Sequence, residues 1–158
     1  TVSVIPLKLF CTSVAVSREH PYTTINVSEQ ITVDEIEHNF SDTNFICSQK
    51  FSTLGKATEN LLKQLPFSPN VFCYSDKLPT VRKLIISNQG AGFIPESCSA
   101  DRKHIKYYNI IPEVYRLNVA LHPKGWPHYK YESYFYDLVC NYFAQYPERP
   151  YIAEADSL

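Results

Sequence analysis

The side chains best suited to chemistry lie in one polar stretch, "SQKFST", which follows a short apolar run. Its hydroxyl and amide groups are Ser48, Gln49, Ser52 and Thr53. We place this stretch between the carboxyl end of a strand and the first turn of a helix, which is where open α/β sheets bind ligands. Free N–H groups and hydroxyls there suit a carboxylate or a phosphate. A simpler interpretation also stands, in which Ser52 or Thr53 only caps the helix.

A second candidate is the turn in "IISNQGAGFIPES", which contains a Gly-x-Gly motif. A dinucleotide loop requires a strand, a glycine loop and then a helix, whereas the apolar pattern here predicts a helix, a turn and then a strand. Pro95 also stands where the third glycine would be. We therefore expect Gly90 to end the helix with a positive φ. The same turn, Gln89-Gly90-Ala91, lets a ligand approach the backbone, and we expect it to meet the first loop at one sheet edge.

The cysteines and histidines predict neither a metal site nor a catalytic centre. The five cysteines, at 11, 47, 73, 98 and 140, form no CxxC pair, and the five histidines form no HxxxH or HExxH motif. Cys98 is the nearest candidate nucleophile, but nothing in the sequence supplies its histidine partner. We expect no catalytic residue, no metal and no cofactor, and reduced cysteines in a cytoplasmic protein.

Charge and hydropathy exclude two classes of partner for this chain. The net charge is −1, and the chain has no long basic cluster, so we expect no direct nucleic-acid binding. No apolar run approaches the ~20 residues that span a bilayer, so we expect no membrane association.

The elements that would position these groups alternate between strands and helices. Thr32 and Glu35 have the spacing of a capping box at the start of a short helix. Such alternation predicts an α/β fold with a largely parallel sheet. The predicted strands cover 9–17, 44–48, 70–75, 92–96, 104–111 and 115–123, and the predicted helices cover 32–40, 52–65, 77–89 and 131–146.

The order of these motifs resembles the effector-binding part of LysR-type transcriptional regulators. The segments that carry the resemblance are "VAVSREHPY", "ITVDEIEHNF" and "NVFCYSDKLPTVRKLIISNQGAGFIPES". The positions that match the family pattern are His20, Pro21, Ile36, Ile46, Val81, Ile85, Gly90, Gly92, Ile94 and Pro95.

The resemblance implies a fold like that of type 2 periplasmic binding proteins, built from Rossmann-like three-layer subdomains with a mixed, mainly parallel sheet. Residues 1–146 would be a partial effector-binding domain, with 14–115 as its second subdomain and 116–146 returning to the first. Residues 147–158 would be a C-terminal tail. The family's DNA-binding helix-turn-helix, and half of the first subdomain, would lie outside this chain.

The function that the resemblance implies is the sensing of a small polar or anionic effector by a cytoplasmic regulator. DNA would be bound only through the missing N-terminal domain, in a homodimer or homotetramer. One alternative is a solute-binding protein of a transporter with the same fold. Another is a small α/β enzyme that uses Cys98 or a histidine.

Overall fold

The computed structural model describes residues 2–124 and 129–145. Two compact units make up this part of the chain. One is Cys11–Arg116, and the other combines residues 2–10 with residues 117–124 and 129–145. The predicted tail at 147–158 lies outside the described residues.

The elements follow the predicted alternation with shifts of one to three residues at their ends, except that the first strand begins at Val2 and not at the predicted residue 9. A four-residue helix at Tyr22–Ile25 and a three-residue strand at Gln30–Thr32 were not predicted, because segments this short carry little periodicity. The strands are β1 (Val2–Ser17), β2 (Gln30–Thr32), β3 (Asn44–Cys47), β4 (Asn70–Tyr74), β5 (Ala91–Pro95), β6 (Ile105–Ile111) and β7 (Tyr115–Pro123). The helices are α1 (Tyr22–Ile25), α2 (Val33–Phe40), α3 (Thr53–Gln64), α4 (Leu78–Ile86) and α5 (Lys130–Gln145), with a 3₁₀ turn at Glu96–Cys98.

The sheet is mixed and mainly parallel, as predicted. Its strand order is β2-β6-β1-β5-β3-β4, and β7 also pairs with β1. β2 and β6 are parallel, as are β5 with β3 and β3 with β4, whereas β1 runs antiparallel to both of its neighbours β5 and β6. Consequently the carboxyl ends of β3, β4 and β5 lie along one side of the sheet, which we call its carboxyl edge. Their amino ends lie along the opposite side, the amino edge.

Helices cover both faces of this sheet and bury two separate cores. Alternate residues of a strand point to opposite faces, so Val14 joins one core while Ala15 joins the other. The first core packs α2 and α3 through residues such as Phe40 and Leu61. The second core packs α4 through Ile85 and its neighbours. The result in this unit is a three-layer α/β/α arrangement.

The start of α2 confirms the predicted capping box. The Thr32 side chain accepts a hydrogen bond from the Glu35 N–H at 3.2 Å, and Glu35 Oε2 accepts one from the Thr32 N–H at 2.8 Å. This bond to the Thr32 N–H is the largest influence that lowers the pKa of Glu35.

No helix in residues 2–124 or 129–145 has the length and apolar content to cross a bilayer.

The end of α4 corrects the expectation for Gly90. The left-handed residue is Asn88, with φ 53°, while the φ of Gly90 lies outside the positive range. The Asn88 N–H donates to Ile85 O at 2.9 Å and the Gln89 N–H donates to Leu84 O at 3.0 Å, the two bonds of a Schellman motif. Asparagine tolerates this conformation because its short polar side chain can bond locally.

Gly90 is required for a different reason, which is close approach between two backbone segments. A Cβ added at Gly90 would lie 2.4 Å from the backbone oxygen of Asn44, at the start of β3. The glycine therefore allows the turn before β5 to pack against β3.

Candidate functional site

A cavity of about 270 Å³ opens at the carboxyl ends of β3, β4 and β5. It lies entirely within the unit Cys11–Arg116. The apolar part of its wall includes Ile46, Leu54, Val81 and Phe93. The polar part comprises Ser48, Ser52, Thr53, Ser75 and Asp76. The combination of an apolar wall and a few convergent polar groups is typical of small-molecule sites.

The first turn of α3 forms one side of this cavity. Ser52 is the N-cap, and its Oγ accepts the N–H of Gly55 at 2.9 Å. Within the part of the chain that the structure describes, the N–H groups of Thr53 and Leu54 have no hydrogen-bond partner. Such groups at a helix N-terminus are donors that carry a partial positive charge. Ser52 thus both caps the helix and lines the cavity.

The loop after β4 forms another side and is tied to the loop after β3. Asp76 Oδ1 accepts the Gln49 N–H at 3.0 Å, and the Ser75 N–H donates to Cys47 O at 2.8 Å. The Lys77 N–H donates to Ser75 Oγ at 3.2 Å, which orders the turn into α4. These bonds hold the Asp76 carboxylate at the cavity wall.

Gly55 lets the loop after β3 fold over the start of α3. A Cβ at this position would lie 2.0 Å from Gln49 O and 2.8 Å from the Gln49 carbonyl carbon. The Ser52 N–H donates to the same Gln49 oxygen at 2.9 Å, which closes the loop. Only glycine is compatible with this approach, so the shape of the cavity wall depends on it.

The lining residues carry no histidine, lysine or arginine, and Asp76 is the charged side chain among them. At the end of β3, burial and then the neighbouring Cys73 raise the pKa of the Cys47 thiol to about 11, which keeps it protonated. Cys98 lines the cavity, and its Sγ lies 3.8 Å from Ser97 Oγ. Among residues 2–124 and 129–145, no three His, Cys, Asp or Glu side chains are grouped so that they could hold a metal ion.

The predicted site residues fall into two separate groups. Ser48, Ser52 and Thr53 line the cavity, and the backbone of Gln49 bonds to Asp76 at its wall. The other group, Gln89, Gly90 and Ala91, lies at the amino ends of β3 and β5, where Ala91 pairs with Phe45 and Asn44 Nδ2 donates to Gln89 O at 3.2 Å.

The expectation that these two loops meet at one sheet edge is therefore wrong. In a parallel pair, the turn that leads into β5 and the turn that leaves β3 lie at opposite ends of the strands. Ser75 and Asp76 were not predicted as site residues. The signal was available, because Ser75 ends a predicted strand as Ser48 does, and Asp76 follows it directly.

A second, more open groove of about 430 Å³ lies near β2 and includes Asn26, Ile31 and Glu35 in its wall. Its acidic residue is already engaged in the capping box of α2. The side chain of Asn26 is also engaged, because it donates to Tyr22 Oη at 2.7 Å and to Gln30 O at 3.0 Å. The cavity at the first turn of α3 is therefore the stronger candidate.

No family model matches the chain, and no curated protein matches it by sequence. Solved structures do match it by fold. The effector-binding domain of QuiR in complex with shikimate has a TM-score of 0.73 at 18% identity, and the match covers 91% of this chain and 66% of that chain. The regulatory domain of Synechocystis PCC6803 CcmR in complex with 2-PG has a TM-score of 0.72 at 16% identity, with coverage of 89% and 66%.

A third match is HinK, a LysR-family transcriptional regulator from Pseudomonas aeruginosa. Its TM-score is 0.71 at 16% identity, and the match covers 90% of this chain and 48% of that chain. The chain thus spans about half to two thirds of the length of these solved chains. The fold that the sequence resemblance implied is confirmed: the chain has the type 2 periplasmic-binding-protein-like fold of LysR-family effector-binding domains.

Proposed function

We propose that this chain is the ligand-sensing part of a LysR-type bacterial transcription regulator. The observation that carries the proposal is the cavity at the carboxyl edge of the sheet. It combines the free N–H groups of Thr53 and Leu54 with the hydroxyls of Ser48 and Ser52 and an apolar wall. Support comes from the fold, which is shared with the effector-binding domain of QuiR in its complex with shikimate and with the regulatory domain of CcmR in its complex with 2-PG.

In this proposal the ligand contacts Ser48, Gln49, Ser52 and Thr53. Contact with Gln89, Gly90 and Ala91 stays a prediction, which their position at the opposite sheet edge does not favour. Ligand binding would act by shifting a pre-existing equilibrium between conformations of the regulator.

The remaining parts of the regulator belong to the same proposal. Residues 14–115 would be the second subdomain and 116–146 the return to the first. DNA would be bound by a further N-terminal domain, in a cytoplasmic homodimer or homotetramer. The net charge of −1 supports assigning DNA contact to another domain, because the sequence has no long basic cluster that could contact phosphates.

Two alternatives are weaker. A solute-binding protein would share the fold, but the matched chains described above are regulator domains and the described cysteines are all unpaired thiols. An enzyme would need an activated nucleophile or base in the cavity. The described residues that line it place no histidine beside Cys98.

The test asks whether small compounds stabilise the chain, and whether a substitution that fills the cavity prevents this stabilisation. A panel of small carboxylates, hydroxy acids and amino acids is screened for compounds that raise the melting temperature. Binding at 100 times Kd stabilises the folded state by about 2.7 kcal/mol, which corresponds to a rise of roughly 5–10 °C for a chain of this size.

Ser48→Phe places a bulky ring in the cavity and should abolish this rise. Ser68→Phe makes the same chemical change at an exposed position outside the cavity and should preserve it. An equal ligand-induced rise in both variants would show that the ligand binds elsewhere and would contradict the proposal.

A further inference from the structure

A side chain of α4 holds the turn that carries Cys98 into the cavity wall. The Arg82 Nη2 group donates a hydrogen bond to the Cys98 carbonyl oxygen at 2.7 Å. Cys98 is the last residue of the 3₁₀ turn Glu96–Cys98 and lines the cavity. Arg82 is not among the lining residues. It therefore contacts this wall from outside the cavity, through the backbone of Cys98.

The surroundings of the Arg82 guanidinium show that the bond to Cys98 is its main attachment. Its Nε atom is buried and has no hydrogen-bond partner within residues 2–124 and 129–145. The ion pairs in that part of the chain engage Lys63, Arg102 and His104, so Arg82 has no carboxylate partner there. A buried N–H without a partner is unfavourable. The bond to the Cys98 carbonyl compensates for part of this cost and explains why the head group lies here.

The turn itself is closed by its own residues. The N–H and the Oγ of Ser99 both donate to Glu96 O, at 3.0 and 2.7 Å. The next residue is attached to β6, because the Tyr107 hydroxyl donates to Ala100 O. The turn therefore behaves as a small rigid unit, and its position depends on the side chains that attach it to the neighbouring elements.

Helix α4 contributes to the same cavity. Leu78 and Val81 line it, and Arg82 follows directly on the helix. The bond from Arg82 to Cys98 thus joins two parts of the cavity wall, the first turns of α4 and the 3₁₀ turn. Its length fixes the separation between them.

Resting on the function proposed above, we propose that Arg82 is a positioning residue of the ligand cavity. It holds the Cys98 turn at a fixed distance from α4 and so preserves the space that the ligand occupies. It acts through the Cys98 carbonyl and does not touch the ligand.

Two substitutions separate the hydrogen bond from the packing of the side chain. Arg82→Met keeps an apolar stem and removes every donor. Arg82→Lys keeps a charged donor that can still bond to a carbonyl. Lys83→Met is the matched control, because it removes a positive charge at the neighbouring, exposed position of the same helix.

The first measurement needs no ligand. The cysteines of the intact chain are alkylated with a bulky neutral maleimide, and the rate at each cysteine is read by mass spectrometry of its peptide. Loss of a hydrogen bond from a charged donor changes an equilibrium by about 10-fold or more, so Arg82→Met should accelerate alkylation of Cys98 by about 10-fold. Cys47 is 3% exposed and should react at the wild-type rate, because it reports opening of the whole core. Arg82→Lys should restore most of the protection of Cys98, and Lys83→Met should match the wild type.

The second measurement tests the effect on binding. The compound that raises the wild-type melting temperature most in the screen above is titrated by calorimetry, well below the melting temperature of every variant. Under these conditions a general loss of stability does not change Kd. Arg82→Met should raise Kd by about 10-fold, because one hydrogen bond from a charged donor no longer holds the wall in place. Arg82→Lys should raise it less, and Lys83→Met should leave it unchanged.

Several results would overturn this inference. An unchanged alkylation rate at Cys98 in Arg82→Met, or an equal acceleration at Cys47, would show that Arg82 does not hold the turn locally. An Arg82→Lys variant no better than Arg82→Met would show that the hydrogen bond is not what matters. An unchanged Kd beside a loosened turn would show that the turn does not position the ligand. If no compound binds the wild-type chain, the proposed function fails, and the alkylation rates alone then decide whether Arg82 holds the turn.

Discussion

Replacing Gly55 with alanine would place a methyl group in the backbone of the loop that lines the cavity. The added Cβ would lie 2.0 Å from Gln49 O, which is far inside contact distance, and the obstructing atom belongs to the backbone. The loop must therefore move. Three hydrogen bonds depend on its present position: Ser52 N–H to Gln49 O, Gln49 N–H to Asp76, and Gly55 N–H to Ser52 Oγ.

The size of the effect follows from two opposing contributions. Each hydrogen bond contributes about 1 kcal/mol to stability, so the loss of all three costs about 3 kcal/mol. Alanine is favoured over glycine inside a helix by about 1 kcal/mol. We therefore expect Gly55→Ala to lower the free energy of unfolding by about 2 kcal/mol, and the melting temperature by about 4–8 °C.

The assay is urea unfolding followed by far-UV circular dichroism, combined with the melting-temperature screen proposed above for the panel of small compounds. Asn60→Ala is the control, because it raises helix propensity at an exposed position of the same helix and should leave stability equal or slightly higher. Gly55→Ala should also reduce the rise in melting temperature that a binding compound produces. A variant as stable as wild type, with an unchanged ligand-induced rise, would refute the close approach of this loop to α3.

Three further outcomes test separate parts of the fold. Asn88→Val should lower the free energy of unfolding in urea by about 1–2 kcal/mol, because a β-branched residue is strained at a left-handed φ, whereas Asn88→Gly should not. Thr32→Ala should cost about 1 kcal/mol in the same assay through loss of the α2 N-cap, and Thr32→Ser should restore most of it. Burial lowers the pKa of His20, whose Nδ1 accepts the Tyr22 N–H at 3.2 Å. The neutral imidazole therefore stabilises the folded state fully above about pH 6.5, and this stabilisation is lost as the pH falls below that value. His20→Gln should remove this part of the decline between pH 7 and pH 5; an identical decline in both proteins would exclude His20 as its source.

The local structure could largely be predicted from the sequence. The capping box at Thr32 and the N-cap at Ser52 are signals within a few residues of one another, and both were confirmed. Residue type alone was a weaker guide at the end of α4. Glycine is the usual left-handed residue, but here asparagine takes that role and Gly90 serves a long-range contact with Asn44.

The arrangement of the loops could not be predicted, because it depends on strand order and direction. The sequence contains no local signal that β1 lies antiparallel between β5 and β6. Nor does it show that the turn at Gln89 and the loop at Ser48 belong to opposite sheet edges. The candidate site was therefore half identified: the loop at Ser48 lines the cavity as predicted, whereas the turn at Gln89 lies at the opposite sheet edge.

The central claim is that a small molecule binds at the first turn of α3. A crystal structure of the chain with the panel compound that raises its melting temperature most would test this directly. We predict the ligand within hydrogen-bond distance of the Thr53 or Leu54 N–H, with Ser48 and Asp76 beside it. A ligand bound in the groove near Asn26, or at the Gln89–Ala91 turn, would contradict the account.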